Sequence, residues 1–240
     1  MMAVSPVDFA PGFSGGCRAH PEPGAVDVWW SDAEPEAAPS DAPLDDEERR
    51  RADRFINPLH RRRFIQAHTV LRRVLAAYGA GAPESLVFVR DEDGKPRLTG
   101  AGPRFNLSHS GDGVAVAVAD FDVGVDVEQV RPLADRDHLV ARFFSPAENA
   151  AYEALSPDRR QLAFFRLWTR KEAYLKALGT GLRVSLDSFS VSNGTEAELI
   201  DPAGSDWRLA DLDLGADWAG AVAGNTAGPL AVRVLRYRSV

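Results

Sequence analysis

Two acidic side chains share one face of a strand predicted within residues 122–128. Val123, Val125 and Val127 alternate there with positions that include Asp126 and Glu128. Because alternate residues of an extended chain point to the same side, the valines form an apolar face and the acids lie on the opposite one. At a rise of about 3.3 Å per residue, the Cα atoms of Asp126 and Glu128 are about 7 Å apart. Carboxylates at this spacing can converge on one hard cation such as Mg²⁺.

A third carboxylate lies on a long helix that is predicted to end at Gly179. The apolar stripe of this helix consists of Phe164, Trp168, Leu175 and Leu178. Glu172 interrupts the stripe, and a carboxylate on the buried face of a helix needs a compensating charge or hydrogen bonds. Lys176 supplies part of that compensation one turn later, and a cation shared with Asp126 and Glu128 would supply the rest. The pattern predicts a metal site built from one strand and one helix.

The composition is typical of a globular protein and excludes several kinds of site and partner. The chain has 240 residues, of which 45% are hydrophobic and 26% charged, as is ordinary for a globular protein. Its formal charge of −7 disfavours nucleic acid as a partner. Cys17 is the only cysteine, which excludes an internal disulfide and a cysteine-based metal cluster. Neither a signal peptide nor a membrane span is recognisable, so we expect a cytoplasmic protein that binds no membrane.

The predicted elements occur twice in a similar order. The first set comprises a strand at 26–30, helices at 44–55 and 60–78, and strands at 86–89, 104–107 and 114–119. The second comprises a strand at 123–128, helices at 133–143, 145–155 and up to residue 178, and strands at 189–191, 207–212, 218–222 and 230–237. This order predicts an α+β fold of two pseudo-symmetric halves, each a small antiparallel sheet with a long helix. We expect a flexible lead-in at 1–24, an N-terminal half at 25–121 and a C-terminal half with the metal site at 122–240.

Two segments allow both a functional and a purely structural interpretation. Residues Ser108, His109 and Ser110 are predicted to lie in a small-residue turn, which can offer amides, hydroxyls and an imidazole to a phosphate. Serines in such positions more often only turn the chain. Glu148 follows Ser145 at the spacing of a capping box, so it is either a helix cap or part of a site.

Taken together, these segments resemble the 4′-phosphopantetheinyl transferases, and within them the monomeric type that activates surfactin synthetase. The motifs are Gly94-Lys95-Pro96, the segment 105–111 with Ser108 and His109, the segment 123–128, and Trp168 followed by Lys171-Glu172-Ala173 and Lys176. The resemblance covers residues 44–191. It implies a monomer of two similar halves with coenzyme A and Mg²⁺ between them, Mn²⁺ being an alternative cation.

The resemblance also implies roles for individual residues. It makes Asp126, Glu128 and Glu172 the metal ligands, and Asp126, Glu172 and Lys176 the catalytic residues, with Glu172 as general base. The residues it places against coenzyme A are Arg51, Arg63, Gly94, Lys95, Pro96, Ser108, His109, Asp126, Lys171, Glu172 and Lys176. In this assignment Ser108, His109 and the arginines face the 3′-phosphate, residues 94–96 line the nucleotide pocket, and Lys171 and Lys176 contact phosphates.

The implied reaction moves phosphopantetheine from coenzyme A to a serine of an acyl or peptidyl carrier protein. The serine hydroxyl attacks the β-phosphorus, and 3′,5′-ADP leaves. Such a transfer depends mainly on alignment and on neutralisation of charge. Val127, between the two acids of the strand, cannot bind a metal, so three protein carboxylates are available.

Other classes of protein remain open from the sequence. A metal-dependent nuclease could use Asp126, Glu128, Glu172 and Lys176, but the negative net charge and the Ser108-His109 segment count against it. A non-catalytic binding module is a second alternative, although every expected catalytic position is filled. Without any site, Glu172 and Lys176 would form an ordinary helical i, i+4 pair worth about 0.3 kcal/mol. That interpretation leaves the interruption of the apolar stripe unexplained.

Overall fold

The computed structural model describes residues 21–32, 41–180, 183–200 and 206–238. The strands are β1 (Ala25–Ser31), β2 (Phe88–Arg90), β3 (Pro96–Leu98), β4 (Arg104–Ser110), β5 (Gly113–Ala119), β6 (Val123–Gln129), β7 (Trp207–Asp211), β8 (Trp218–Asn225) and β9 (Ala231–Arg236). The helices are α1 (Asp46–Asp53), α2 (Pro58–Ala77), α3 (Arg136–Phe143), α4 (Pro146–Glu153) and α5 (Pro157–Leu178). Residues 1–20, which hold most of the predicted lead-in at 1–24, lie outside the described residues.

The same arrangement of strands occurs in both parts of the chain. One sheet contains the order β4-β5-β1 and another has the order β7-β8-β6, with antiparallel neighbours in each case. A long helix covers each sheet, since α2 shares an apolar cluster with β5 and α5 shares one with β8. A third cluster joins Val28 and Trp30 of β1 to the three valines of β6. The predicted α+β fold of two similar halves is confirmed, and so is the apolar face of β6.

The last strand changes the first sheet from antiparallel to mixed. β9 pairs in parallel with β1, so the sheet has the order β4-β5-β1-β9. Arg233 of β9 donates hydrogen bonds to both carboxylate oxygens of the buried Asp27, at 2.8 and 2.7 Å. The end of the chain therefore returns to the sheet of the first half. The prediction of a purely antiparallel sheet is wrong here because a strand distant in sequence satisfies the free edge of β1.

Two local predictions also need correction. Ser108, His109 and Ser110 form the end of β4 rather than a turn, because the β4–β5 ladder continues to the pair Ser110–Gly113. The predicted strand at 189–191 is reduced to one bridge between Val191 and Leu199. Among the described residues, no helix is long and apolar enough to cross a membrane. The cytoplasmic location stays a prediction.

Side chains rather than backbone groups connect β4 to β6. The amides of Val125, Val127 and Gln129 donate to the side-chain oxygens of Asn106, Ser108 and Ser110, at 2.9, 3.3 and 3.3 Å. Each contact joins positions 19 residues apart, so the two strands run side by side in one direction. Polar side chains thereby satisfy amides at the edge of β6 that would otherwise be buried without partners. The seam between the two halves is therefore polar along this line.

Gly124 allows α5 to lie directly on β6. A Cβ at this position would be 2.2 Å from the carbonyl oxygen of Ala173 and 2.3 Å from the amide nitrogen of Ala177. Both are backbone atoms, which cannot rotate away. Gly124 thus sets the distance between the acids of β6 and the side chains of α5.

We expect Gly124→Ala to destabilise the protein by about 1–3 kcal/mol or more, because the added methyl group must push α5 away from β6. The displacement also separates Glu172 and Lys176 from Asp126, so activity should fall. Urea denaturation measures the loss of stability, and an assay of turnover measures the loss of activity. Gly228→Ala is the matched control, since nothing lies within 4 Å of its Cβ. Equal stability of the two variants would contradict the close packing.

Candidate active site

A cavity of about 410 Å³ opens at the seam where β4, β6 and α5 meet. Its lining consists of Leu107, Ser108, His109, Asp126, Glu128, Trp168, Glu172 and Lys176. The strand alternation of β6 brings Asp126 and Glu128 to it, and the helical spacing of α5 brings Trp168, Glu172 and Lys176 one turn apart. The three predicted metal ligands therefore face one cavity together with Ser108, His109 and Lys176.

Lys176 is held between the two strands. Its ammonium nitrogen lies 2.6 Å from Asp126 Oδ1 and 3.0 Å from Ser108 Oγ. Ser108 in turn donates to Asp126 Oδ1 at 2.9 Å. Asp126 is buried, whereas Lys176 is partly open to the cavity. A compact positive charge is thus oriented by two groups on strands that belong to different halves.

The pKa values of all three carboxylates are raised, and burial is the largest cause in each case. Burial raises the pKa of Glu172, and the negative charges of Asp126 and Glu128 add to this while Lys176 opposes it. Burial also raises the pKa of Glu128, with Asp126 contributing and a hydrogen bond from Ser110 opposing. For Asp126 the increase in pKa comes from burial and is opposed by Lys176. Such a concentration of negative charge favours a cation in the cavity.

The donor set fits Mg²⁺, although the protein does not form a complete cage. Asp126 Oδ2 is buried and has no hydrogen-bond partner among the described residues, which leaves an oxygen for a cation. Within the described ranges, no three His, Cys, Asp or Glu side chains are arranged to hold a metal as they stand. Mg²⁺ usually binds one or two carboxylates together with substrate phosphates rather than an all-protein cage. The assignment of Asp126, Glu128 and Glu172 as metal ligands stays a prediction.

Cationic side chains of the first half lie near His109, at one end of the cavity. His109 lines the cavity, and its pKa is lowered by burial and by the nearby charges of Lys176, His68 and Arg63. Arg63 also forms an ion pair with Asp112 at 2.7 Å. Arg51 lies farther out, with its guanidinium 5.2 Å from the ring centre of Phe64. The structure thus brings Arg63 near His109, and neither Arg63 nor Arg51 is among the cavity-lining residues.

The structure places Lys171 away from the cavity, which counts against its predicted contact with a phosphate. Its side chain is fully buried, and its ammonium lies 2.7 Å from each carboxylate oxygen of Glu148 and 2.6 Å from the carbonyl oxygen of Phe189. All three ammonium protons are therefore used away from the cavity. Lys171 is adjacent to Glu172 in sequence, but on a helix adjacent residues point in different directions.

Glu148 combines two structural roles, which settles the alternative left open by the sequence. Glu148 Oε2 accepts from the amide of Ser145 at 2.8 Å in a capping box at the start of α4. Glu148 Oε1 accepts from the amide of Val191 at 2.8 Å, and both oxygens pair with Lys171. The carboxylate joins α4, α5 and the segment around Val191, and it does not reach the cavity.

Lys95 connects the β2–β3 hairpin to the second half. Its ammonium donates to the carbonyl oxygens of Val123 and Ala177, at 3.0 and 2.8 Å, and burial lowers its pKa to about 8. The amine is therefore engaged at the junction of β6 and α5. In the turn before Lys95, Gly94 has a positive φ of 89°. Pro96, directly after Lys95, begins β3. That residues 94–96 line a nucleotide pocket stays a prediction. The Lys95 amine is already bonded to the two carbonyl oxygens and is not free to contact the nucleotide.

The sequence interpretation missed Asn106, and it missed the contact of Ser110 with Glu128. Ser110 Oγ donates to Glu128 Oε2 at 2.6 Å, and so orients one of the three carboxylates. Asn106 accepts from the amide of Val125, next to Asp126. The sequence does contain a pattern that could have revealed both residues: polar side chains at the alternate positions Asn106, Ser108 and Ser110. In a strand that continues to residue 110, these three side chains share one polar face.

We expect Lys176→Arg to lower kcat/KM at least about tenfold, because a planar guanidinium does not replace a compact ammonium that is held by Asp126 and Ser108. Steady-state kinetics with the purified variant measure this effect. Full activity would reduce Lys176 to an ion-pair partner of Asp126. Unchanged thermal stability alongside lost activity would support a direct role in the site.

Comparison with known proteins identifies the family. The 4′-phosphopantetheinyl transferase superfamily model matches residues 122–223, which contain β6, α5 and β8. The transferase HetI of Nostoc sp. is 37% identical over 178 residues, or 71% of this chain and 74% of its own. The transferase Sfp of Bacillus subtilis is 35% identical over 164 residues, or 63% of this chain and 72% of its own. With five of the eight cavity-lining residues in the matched region and relatives along most of its length, this chain is an enzyme of the 4′-phosphopantetheinyl transferase superfamily.

Proposed function

We propose that this enzyme transfers 4′-phosphopantetheine from coenzyme A to a serine of an acyl or peptidyl carrier protein, and that the reaction depends on Mg²⁺ and releases 3′,5′-ADP. The observation that supports this most directly is the convergence of Asp126, Glu128, Glu172 and Lys176 on one cavity. Carboxylates for a cation beside a lysine for phosphate oxygens are the groups that phosphoryl transfer requires. Family membership disfavours the nuclease alternative.

Coenzyme A would lie along the cavity with its 3′-phosphate toward the first half. In this orientation Arg63 and His109 contact the 3′-phosphate, Ser108 lies beside it, and Arg51 approaches from the outer end. Lys176 then lies beside the pyrophosphate as a compact charge. The charges of Lys176, His68 and Arg63, which already act on His109, support an anion at this end.

In the proposed reaction the serine oxygen forms a bond to the β-phosphorus, and the bond from that phosphorus to the departing 3′,5′-ADP breaks. Glu172 accepts the serine proton. A free glutamate, with a pKa of about 4.3, is a weak base for an alcohol. Proton transfer to Glu172 therefore depends on its position beside the serine and on transfer late in the reaction. Lys176 offsets negative charge on the phosphates, and Asp126 and Ser108 hold it in position.

Asp126, Glu128 and Glu172 would hold Mg²⁺, with Mn²⁺ as the alternative ion. When bound, the cation neutralises charge on the pyrophosphate. Asp126 Oδ2, buried and without a partner, is the oxygen most in need of such a contact. We further propose that the enzyme acts as a monomer, because both halves that form the cavity belong to one chain. Sedimentation analysis tests that state.

Mass spectrometry of a purified apo carrier protein tests the proposal. The carrier is incubated with coenzyme A and the enzyme, with added Mg²⁺ or with excess EDTA. We expect a mass gain of one phosphopantetheine group that is lost with EDTA and restored by Mg²⁺, together with equimolar 3′,5′-ADP. Absence of the gain on acyl and peptidyl carriers alike, with folded enzyme that binds coenzyme A, would contradict the proposed reaction.

A further inference from the structure

A strongly basic segment stands out in this acidic protein. Residues 49–63 contain seven arginines and a single acid, Asp53, whereas the whole chain has a formal charge of −7. The segment covers the end of α1, the connection to α2 and the first turns of α2. Local charge of this size attracts an anionic partner even though the whole protein is negative.

The same segment exposes its apolar residues. Ile56, between α1 and α2, is 99% exposed, and the neighbouring Phe55 is 39% exposed. Arg50, Arg54 and Arg61 are also exposed. We call these five residues the arginine–isoleucine surface. An isoleucine fully in water contributes nothing to the core, so its burial in a complex would be favourable.

The arginines of this surface are available to a partner. Arg50 and Arg54 form no ion pair with any acid in the part of the chain that the structure describes. Arg61 pairs with Asp53 at 2.8 Å, but both side chains are largely exposed, and such surface pairs are weak. Exposed arginines around an aliphatic and an aromatic side chain have the composition of protein interfaces.

A series of ring contacts leads from the arginine–isoleucine surface to the cavity. The ring centres of Phe55 and Phe64 are 5.5 Å apart, and those of Phe64 and His68 are 4.2 Å apart. The charge of His68 acts on His109, which lines the cavity. A protein seated on the surface would therefore be close to the cationic end of the cavity.

We propose that the arginine–isoleucine surface docks the acidic carrier protein during transfer; this inference rests on the proposed function. A carrier whose serine lies among acidic side chains would match this surface in charge. Two acidic proteins repel each other unless they meet at a region of opposite charge, and electrostatic complementarity mainly sets the rate and register of such encounters. Arg50, Arg54 and Arg61 pair with carboxylates of the carrier, while Ile56 and Phe55 pack against its apolar side chains.

Kinetics with charge-reversed variants test the proposal. Ile56→Glu and Arg54→Glu are compared with wild type and with Ile200→Glu, a matched control at an isoleucine that is 55% exposed elsewhere. We expect each variant at the surface to raise the KM for an apo acyl carrier protein about tenfold, with the KM for coenzyme A and the thermal stability unchanged. The control should behave as wild type. An unchanged KM for the carrier, or an equal increase in the control, would overturn the proposal.

A binding measurement separates this proposal from the proposed function. The probe is an acyl carrier protein whose acceptor serine is replaced by alanine, so no transfer occurs. We expect its affinity for the enzyme to fall about tenfold in Arg54→Glu and to recover when a carboxylate on the carrier helix is replaced by lysine. Wild-type binding without any transfer to the serine carrier would refute the proposed function alone. Transfer with unaltered binding by Arg54→Glu and Ile56→Glu would refute the docking surface alone.

Discussion

Replacing Glu172 with glutamine is expected to lower kcat for phosphopantetheine transfer by about 10²- to 10⁴-fold, the contribution typical of a general base. Glutamine keeps the shape of the side chain but cannot accept the serine proton. It also removes one of the three carboxylates that line the cavity. Steady-state kinetics with saturating coenzyme A and carrier measure the loss.

The stability of this variant distinguishes a functional from a structural role. No hydrogen bond to the Glu172 side chain occurs among the described residues, so its carboxylate does not stabilise the local fold. We therefore expect Glu172→Gln to be as stable as wild type or more stable, as is common when a functional charge is removed. Glu153→Gln, at an exposed position of α4, is the control for a Glu-to-Gln substitution outside the cavity. A kcat equal to that of wild type would eliminate Glu172 as the base.

Replacing Glu148 with alanine is expected to cost about 3–5 kcal/mol of the free energy of unfolding, because removing one partner of a buried ion pair leaves an uncompensated charge. Lys171 is fully buried, and its ammonium would keep only the carbonyl oxygen of Phe189. The amides of Ser145 and Val191 would also lose their acceptor. Denaturation by urea, followed by circular dichroism, measures the change.

A double-mutant cycle tests whether Lys171 is structural. We expect the combination of Glu148→Leu and Lys171→Met to recover much of the stability lost in either single variant, because paired apolar groups can replace a buried ion pair at little cost. The KM for coenzyme A should change little at temperatures where the variants are folded. If Lys171→Met left stability intact and raised the KM for coenzyme A, Lys171 would be a phosphate ligand, as the family resemblance implies.

Periodicity made the strand and helix of the site predictable from the sequence. The alternation of valines with Asp126 and Glu128 determines a strand with an acidic face, since neighbours in an extended chain point to opposite sides. The spacing of Trp168, Glu172 and Lys176 places all three on one side of a helix. These are local properties of the chain, and the structure confirms both faces.

Contacts between residues distant in sequence decided which charged side chains of these elements reach the cavity and how the strands pair. Lys171 and Lys176 are both lysines of α5, but only the packing of α4 and the segment near Phe189 places one in a buried ion pair and leaves the other at the cavity. Lys95 likewise reaches the ends of β6 and α5, and β9 returns to β1, which no local pattern indicates. The sequence by itself determined which faces carry the chemistry, because side-chain direction follows from backbone geometry. Only the tertiary structure decided which charges meet, since burial and partners depend on elements that are far apart along the chain.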